Sequence, residues 1–182
     1  MAELTLLPPV ARFIFQGGRV ACKTAGDAFR LVLPEQPCRA NSSEGRAALW
    51  LGPDEYLLLA PLGEMRAIAV ELTSALAGVP HSLVDVSQRQ VAWQVSGPDA
   101  GAILNSGCPL DLDLAEFPPG MCTRTLFGKA QIVLWRKAAE EYHLDVWRSY
   151  SNYVRELLLD AARSEFANRT SGGDDHAQRS GV

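Results

Sequence analysis

The chain has 182 residues, of which 47% are hydrophobic and 21% charged, and its formal net charge is −4. A chain of this length and composition buries a real core and is expected to form one domain, or one domain with an appendage. The acidic balance gives no electrostatic reason to bind nucleic acid or an anionic membrane, and no apolar run approaches the roughly 18 residues that suggest a membrane span.

The first 36 residues are predicted to form an N-terminal arm that carries two short strands, Arg12–Gln16 and Phe29–Leu33. Brief strands flanked by proline are marginal alone, so the arm is expected to dock on a larger unit. The apolar start of the chain contains Pro8 and Pro9 and has no basic stretch before it. We therefore predict no signal peptide and a cytoplasmic protein.

Residues 37–166 are predicted to form an α+β domain that begins with a hairpin and a helix. The strands Ala47–Leu51 and Tyr56–Leu59 flank the turn Gly52-Pro53-Asp54, where proline pre-sets φ. The helix Glu64–Leu76 follows, with its apolar residues on one stripe.

The stretch Leu83–Leu104 predicts a short strand, a tight turn, a second strand and a helix. Val91, Trp93 and Val95 share one face of the second strand because they recur every two residues. Pro98 suits the first turn of the helix, where a backbone N–H has no partner to lose.

The rest of the domain is predicted to contain three strands and a long helix. These elements are Met121–Phe127, Ala130–Trp135, Tyr142–Trp147 and the helix Asn152–Arg163. The order β-β-α-β-β-α-β-β-β-α predicts an α+β fold of mainly antiparallel strands with helices on one face, in ferredoxin-like split β-α-β units. The Gly-Pro-Asp sites at 52–54 and 97–99 are weak evidence for a duplication, because one opens a strand and the other a helix. Residues 167–182 are polar and are predicted to be a disordered tail.

Several stretches resemble known families. The order D-V-S…V-S-G-P-D-A…L within Leu83–Leu104 resembles the opening segment of the aminomethyltransferase (glycine-cleavage T-protein) superfamily. Leu49–Leu59 and Val146–Ala161 resemble the gamma subunit family of heterotetrameric sarcosine oxidase, with Cys108–Leu112 and Thr125–Ala130 between them. The resemblance covers roughly residues 45–165 and implies a fold like a truncated T-protein domain.

The resemblance implies a structural, non-catalytic subunit that packs on the alpha and beta subunits of an oxidase that also contains a delta subunit. That complex demethylates sarcosine to glycine with O2 and releases H2O2, and with tetrahydrofolate it forms 5,10-methylenetetrahydrofolate. FAD, FMN, NAD and zinc are implied to belong to the other subunits. No cofactor is therefore expected on this chain.

The residues themselves predict no catalytic or metal site. His81, Asp85 and Ser87 lack the surroundings of a hydrolase triad and favour a turn in which Asp85 and Ser87 bond to backbone amides. The cysteines lack zinc-ligand spacing, and a cytosolic chain is not expected to hold disulfides. They are expected to be buried or incidental thiols, at Cys22, Cys38, Cys108 and Cys122.

Asp111 is the one candidate for chemistry. It stands near the place of an aspartate that contacts folate in the T-protein superfamily, so the resemblance implies an alternative: a free-standing folate-dependent aminomethyltransferase-like or repair protein that uses Asp111. The D-L-D-L context also fits an exposed turn with Leu110, Leu112 and Leu114 inward. The turn is favoured, because a functional carboxylate needs a surrounding pocket that a chain much shorter than a T-protein would lack.

Four residues are candidates for a subunit interface: Trp50, Arg124, Trp147 and Arg148. Tryptophan and arginine are enriched at interfaces, where the planar guanidinium pairs with carboxylates. The other interpretation of Arg124 and Arg148 is a surface arginine whose stem lies on a tryptophan. An interaction domain of another amine oxidase assembly is a further alternative.

Overall fold

A computed structural model gives the fold and describes residues 2–172. These residues contain four α-helices: α1 (Arg19–Phe29), α2 (Met65–Ala75), α3 (Ala100–Asn105) and α4 (Ser151–Gly172). They also contain ten strands: β1 (Glu3–Leu6), β2 (Val10–Gly17), β3 (Ala40–Ser43), β4 (Arg46–Gly52), β5 (Glu55–Pro61), β6 (His81–Asp85), β7 (Gln90–Ser96), β8 (Cys122–Phe127), β9 (Ala130–Ala138) and β10 (Glu141–Trp147). No helix in this part of the chain has the length and apolar character needed to span a membrane.

The described strands form two five-stranded antiparallel sheets with matching topology. One sheet has the order β3-β4-β5-β2-β6 and the other β8-β9-β10-β7-β1. In each sheet four consecutive strands follow the ferredoxin-like order, β4-β5-β2-β6 and β9-β10-β7-β1, and β3 or β8 adds a fifth strand at one edge. The predicted α+β class with split β-α-β units is therefore confirmed.

The two sheets represent a topological duplication that the Gly-Pro-Asp sites do not mark. The first site, 52–54, lies at the turn between β4 and β5, whereas the second, 97–99, lies between β7 and α3. These positions are not equivalent in the two units. The equivalence lies in strand order, with β1 completing the second unit as β6 completes the first.

The N-terminal segment belongs to both sheets, so the predicted arm that ends at residue 36 is wrong. β1 pairs with β7, from Glu3 opposite Ser96 to Leu6 opposite Trp93. β2, which contains the predicted strand Arg12–Gln16, lies between β5 and β6. The segment is therefore built into the sheets and is not docked on them from outside.

The predicted strand Phe29–Leu33 is also wrong, because α1 occupies residues up to Phe29. Ala21, Ala25 and Phe29 recur every four residues and are buried against the sheet, as a helical stripe requires. Arg30 then adopts a left-handed φ of 57° and ends the helix. The chain leaves α1 as a turn and does not extend into a strand.

The core has three layers of side chains. Helices α1 and α2 cover one face of the first sheet, and α3 and α4 cover one face of the second. The remaining faces of the two sheets meet through a smaller apolar cluster of Ala47, Leu49, Leu57, Leu59, Cys122, Val133 and Trp135. Each sheet thus has its helices on one face, as predicted, and the other sheet on the opposite face.

The last helix extends beyond its predicted end. Val154, Leu158 and Ala161 are buried on its inner stripe, as the apolar pattern predicts. α4 continues to Gly172, so the first residues of the predicted disordered tail are helical. The rest of that predicted tail lies outside the described residues.

Candidate functional site between the two sheets

Two clefts open at opposite ends of the layer between the sheets. The Trp147 cleft has a volume of about 300 Å³, and residues that line it include Ile14, Val84, Arg89, Gln90, Arg124 and Trp147. The His143 cleft has a volume of about 370 Å³, and residues that line it include Val10, Arg12, Arg46, Trp135, Lys137 and His143. Along β2 and β10 the lower-numbered residues reach the second cleft and the higher-numbered residues reach the first.

The alternation of side chains along the strands decides which residues enter this layer. On β10, Tyr142, Leu144 and Val146 belong to the helix-covered core of their sheet. Because successive side chains point to opposite faces, His143 and Asp145 face the other sheet. The same rule turns Arg12 of β2 toward β10.

A buried ionic network of Arg12, Asp145 and His143 joins the two sheets between the clefts. Arg12 Nε donates to Asp145 Oδ1 at 2.6 Å, and His143 Nε2 donates to Asp145 Oδ2 at 2.5 Å. Arg12 Nη1 also donates to the carbonyl of Val10 at 3.2 Å. Arg12 and Asp145 are each only 1% exposed, so both charges have left water and depend on each other.

The network holds Asp145 as a carboxylate. Burial alone would raise the pKa of Asp145, but the His143 ring and the Arg12 guanidinium hydrogen-bond the carboxylate and hold its pKa below the usual range. A carboxylate with a lowered pKa and both oxygens engaged is a poor proton acceptor at neutral pH. The arrangement is therefore suited to joining the sheets and not to acid–base chemistry.

Two arginines line the Trp147 cleft, and a third follows Trp147 in the chain. The Arg124 guanidinium pairs with Glu55, with Nη2 donating to Oε1 at 2.5 Å and Nη1 to Oε2 at 3.3 Å. The Arg89 guanidinium lies over the Trp147 ring, 5.1 Å from its centroid. Arg148, next to Trp147 in the chain, donates from Nε to the carbonyl of Gln88 at 3.0 Å.

Gln90, which lines the same cleft, has a buried carboxamide oxygen without a partner among the described residues. Gln90 is 8% exposed, and its Oε1 has no hydrogen-bond partner among the described residues. A buried polar atom without a partner is uncommon in proteins and calls for a physical explanation. Gln90 pairs with Trp147 across β7 and β10, so the carboxamide and the indole come from one register position.

The structure brings three of the four predicted interface residues to one place. Arg124 and Trp147 line the Trp147 cleft, and the Arg148 amide donates to the carbonyl of Arg89, which also lines it, at 2.8 Å. Trp50 lies elsewhere, half-buried against the core under α1 and α2. The sequence could not separate Trp50 from the others, because strand register decides which face it occupies.

Asp111 lies in an exposed turn between α3 and β8, away from both clefts. Its Oδ1 accepts the amide of Asp113 at 2.9 Å, and Asp113 Oδ1 accepts the amide of Ala115 at 2.9 Å. Local bonds of this kind are ordinary for aspartate in turns. Leu112 is buried as predicted, but Leu114 is half exposed, so its predicted inward position is wrong.

The turn predicted around Asp85 and Ser87 is confirmed. Asp85 Oδ1 accepts the Ser87 amide at 2.9 Å and the Ser87 hydroxyl at 2.5 Å, while Ser87 Oγ accepts the Arg12 amide at 2.9 Å. His81 lies apart from them, with its ring nitrogen 2.7 Å from the carbonyl oxygen of Val79. Ser87 therefore connects the β6–β7 turn to β2.

The sequence reasoning missed the network of Arg12, His143 and Asp145. The available signal was Arg12 itself, an arginine within an apolar stretch of β2, together with a histidine and an aspartate two residues apart on β10. Charged residues at inward strand positions need partners, and the pairing could have been suspected on that ground.

The cysteines are free thiols throughout the described residues. Cys108 and Cys122 are buried and the other two are partly buried, as predicted. Burial raises the pKa of the Cys122 thiol to about 12, so its reactive thiolate is suppressed. Residues 2–172 contain no group of three or more His, Cys, Asp or Glu side chains that could hold a metal ion.

Comparisons with known proteins agree with the motifs. The family model described as "Sarcosine oxidase, gamma subunit family" matches residues 20–165. The sarcosine oxidase subunit gamma of Corynebacterium sp. (strain P-1) is 36% identical over 129 residues, which cover 71% of this chain and 62% of that relative. The chain thus spans less than two thirds of the length of that relative.

Two solved structures are similar in fold. A chain of the heterotetrameric sarcosine oxidase from Corynebacterium sp. U-96, in complex with pyrrole 2-carboxylate, has a TM-score of 0.84 and 26% identity, over 90% of this chain and 84% of that one. The glycine cleavage system aminomethyltransferase T from Bartonella henselae has a TM-score of 0.69 and 14% identity, over 89% of this chain and 46% of that one. The second likeness concerns the fold alone.

The family model covers most of the chain, and the curated relative and the first solved structure agree with it. This chain belongs to the sarcosine oxidase gamma subunit family.

Proposed function

We propose that this chain is the gamma subunit of a heterotetrameric sarcosine oxidase. The complex would demethylate sarcosine to glycine with O2, releasing H2O2, and in the presence of tetrahydrofolate would yield 5,10-methylenetetrahydrofolate. The observation that carries the proposal is the structural likeness to a chain of a heterotetrameric sarcosine oxidase over 90% of this chain. Its partners are the alpha, beta and delta subunits.

Within the complex the chain is a structural subunit that packs on alpha and beta. The geometry of its charged groups supports this role, because the buried carboxylate of Asp145 is committed to Arg12 and His143. The exposed carboxylate of Asp111 is committed to its own turn. FAD, FMN, NAD and zinc are assigned to the other subunits on the basis of the family resemblance.

We place the complex in the cytoplasm. The free thiols of the described cysteines suit a reducing compartment, where disulfides are rare. This placement is independent of the catalytic assignment.

The proposal is tested by co-expressing the chain with the candidate alpha, beta and delta subunits and following flavin absorbance during size-exclusion chromatography. We expect the chain to co-elute with flavin and to aggregate when expressed alone. Flavin and zinc analysis of the chain and of the whole complex tests where the cofactors reside. A stable lone monomer that ignores these partners and takes up tetrahydrofolate would instead favour the free-standing folate-dependent protein.

The role of Asp111 is tested in the same complex. Asp111→Asn should leave the rates of sarcosine oxidation and of methylenetetrahydrofolate formation unchanged, because its carboxylate bonds only within an exposed turn. A large fall in folate-coupled product with intact assembly would give Asp111 a chemical role.

A further inference from the structure

We propose that the Trp147 cleft is the docking site for an acidic segment of a partner subunit. A carboxylate of that segment pairs with Arg89 and Arg148, and an adjacent apolar side chain enters the cleft. This inference rests on the proposed function and goes beyond it by naming the surface of this chain that is used and the chemistry of its occupant.

The first argument is unneutralised positive charge held in position. The guanidinium groups of Arg89 and Arg148 have no carboxylate partner within residues 2–172. Both residues are exposed, so their charges are accessible to a partner. Arg89 is held over the Trp147 ring and Arg148 by the Gln88 carbonyl, and the Arg148 amide bonds to the Arg89 carbonyl. Side chains that are already positioned lose less conformational freedom when a carboxylate arrives.

The second argument is the buried carboxamide oxygen of Gln90, which has no partner among the described residues. This side chain is more than nine-tenths buried, lines the cleft and leaves Oε1 without a partner. Because Oε1 is itself shielded, a hydrogen-bond donor of an occupant would satisfy it after the carboxamide turns toward the cleft. Tyr142 Oη in the helix-covered core is also buried without a partner, so the Gln90 atom supports the docking site together with the arginines and the exposed indole and not by itself.

The third argument is apolar surface at the cleft mouth. Trp147 is 42% exposed and Val84, on the edge strand β6, is 49% exposed. An exposed tryptophan next to arginine is the composition found at the energetic centres of protein interfaces. The exposed edge strand extends the surface beyond the cleft, which suits a chain segment better than an enclosed small molecule.

The His143 cleft provides a comparison within the same molecule. Each arginine or lysine that lines it already has a carboxylate partner: Arg12 with Asp145, Arg46 with Glu64, and Lys137 with Glu141 at 2.8 Å. It therefore offers no free charge to an acidic partner. Of the two clefts, only the Trp147 cleft is lined by an arginine without a carboxylate partner among the described residues, and this charge can select an acidic occupant.

The experiment uses the co-expressed complex. Wild-type and variant forms of this chain, carrying different affinity tags, compete for the same partner subunits, and their ratio in the purified complex is measured. We expect Arg89→Glu to lower the share of the variant by about tenfold, and Trp147→Ala to have an effect of similar size, because both are central to the site. Arg66→Glu, an exposed arginine on α2, should compete equally with wild type.

A second measurement does not depend on damaging variants. A photo-crosslinking amino acid at the position of Val84 should capture a partner-subunit segment that contains Asp or Glu. Changing that acidic residue to Lys should then restore the share of Arg89→Glu, which a misfolded variant would not allow.

Equal competition by both cleft variants, or a crosslinked segment without a carboxylate, overturns the docking proposal while leaving the proposed function intact. Absence of the wild-type chain from the complex overturns the proposed function itself, and the docking site with it.

Discussion

Replacement of Asp145 by asparagine tests whether the buried network joins the two sheets. The change keeps the shape of the side chain and removes its charge, so Arg12 remains buried, 1% exposed, without its counter-ion. Removing one partner of a buried ion pair typically costs about 3–5 kcal/mol, because the other charge is left uncompensated. A domain is usually stable by about 5–15 kcal/mol, so the loss would be a large fraction of the total.

The assay is urea titration of the purified complex, with pulse proteolysis to follow unfolding of this chain. Association with the partner subunits stabilises the wild-type and variant chains alike. The difference between their urea midpoints therefore measures the contribution of the network to stability. The matched control is Lys137→Gln, which breaks the exposed pair with Glu141 and should cost at most about 1 kcal/mol.

A double variant separates the charge effect from lost packing. Arg12→Met with Asp145→Leu removes both charges and should be more stable than Asp145→Asn, because no buried charge is left alone. A loss of stability below about 1 kcal/mol for Asp145→Asn would refute the reasoning. So would a double variant whose cost equals the sum of the costs of Arg12→Met and Asp145→Leu measured singly.

The pH dependence of the same variant has a definite sign. The folded-state pKa of Asp145 is lowered, so its contribution is present above the unfolded-state pKa, near 3.8, and is lost as pH falls through the folded-state pKa. The stability difference between wild type and Asp145→Asn should therefore shrink as the pH is lowered below about 4. A difference that grows on acidification would contradict the assigned ionisation.

Two further predictions use the same urea assay. Gly128→Ala should cost about 1–3 kcal/mol, because φ there is +57° and an added Cβ would lie 2.6 Å from Leu157 Cδ1. The control Gly63→Ala has open space around the added Cβ and should cost less than about 0.5 kcal/mol. Equal urea midpoints for the two variants would contradict the turn geometry. Arg136→Met should cost about 1–3 kcal/mol and speed proteolysis between α3 and β8, because buried Arg136 donates to the backbone carbonyls of that segment. Lys137→Met is the exposed control. Unchanged proteolysis of Arg136→Met would show that Arg136 does not anchor the segment.

The elements that local patterns predicted well are those with a strong apolar period. β10 was predicted as Tyr142–Trp147 and is observed as Glu141–Trp147, because its apolar and polar residues alternate without a break up to Val146. The helix predicted as Glu64–Leu76 is observed as Met65–Ala75. In both cases the spacing of apolar residues within the element is enough to predict it, and no contact with a distant part of the chain has to be known.

The elements that were missed have weak local signals. α1 begins after Gly18 without a side-chain cap, and its buried stripe consists of small residues up to Phe29, which do not stand out in the sequence. β1 has four mostly exposed residues, and among the described residues its strand partner is β7, which begins at Gln90. Short strands of this kind are stabilised by the sheet they join, so their own residues do not identify them.

The sequence by itself determined the α+β class, the family and the residue types available for an interface, because these depend on local period and on motifs. The tertiary structure decided which of those residues meet. Arg12 and Asp145 are 133 residues apart in the chain, and Trp147, Arg89 and Arg124 come from three different segments. Their meeting depends on strand register and on how two sheets face each other, and a shift of one residue would turn every side chain to the opposite face.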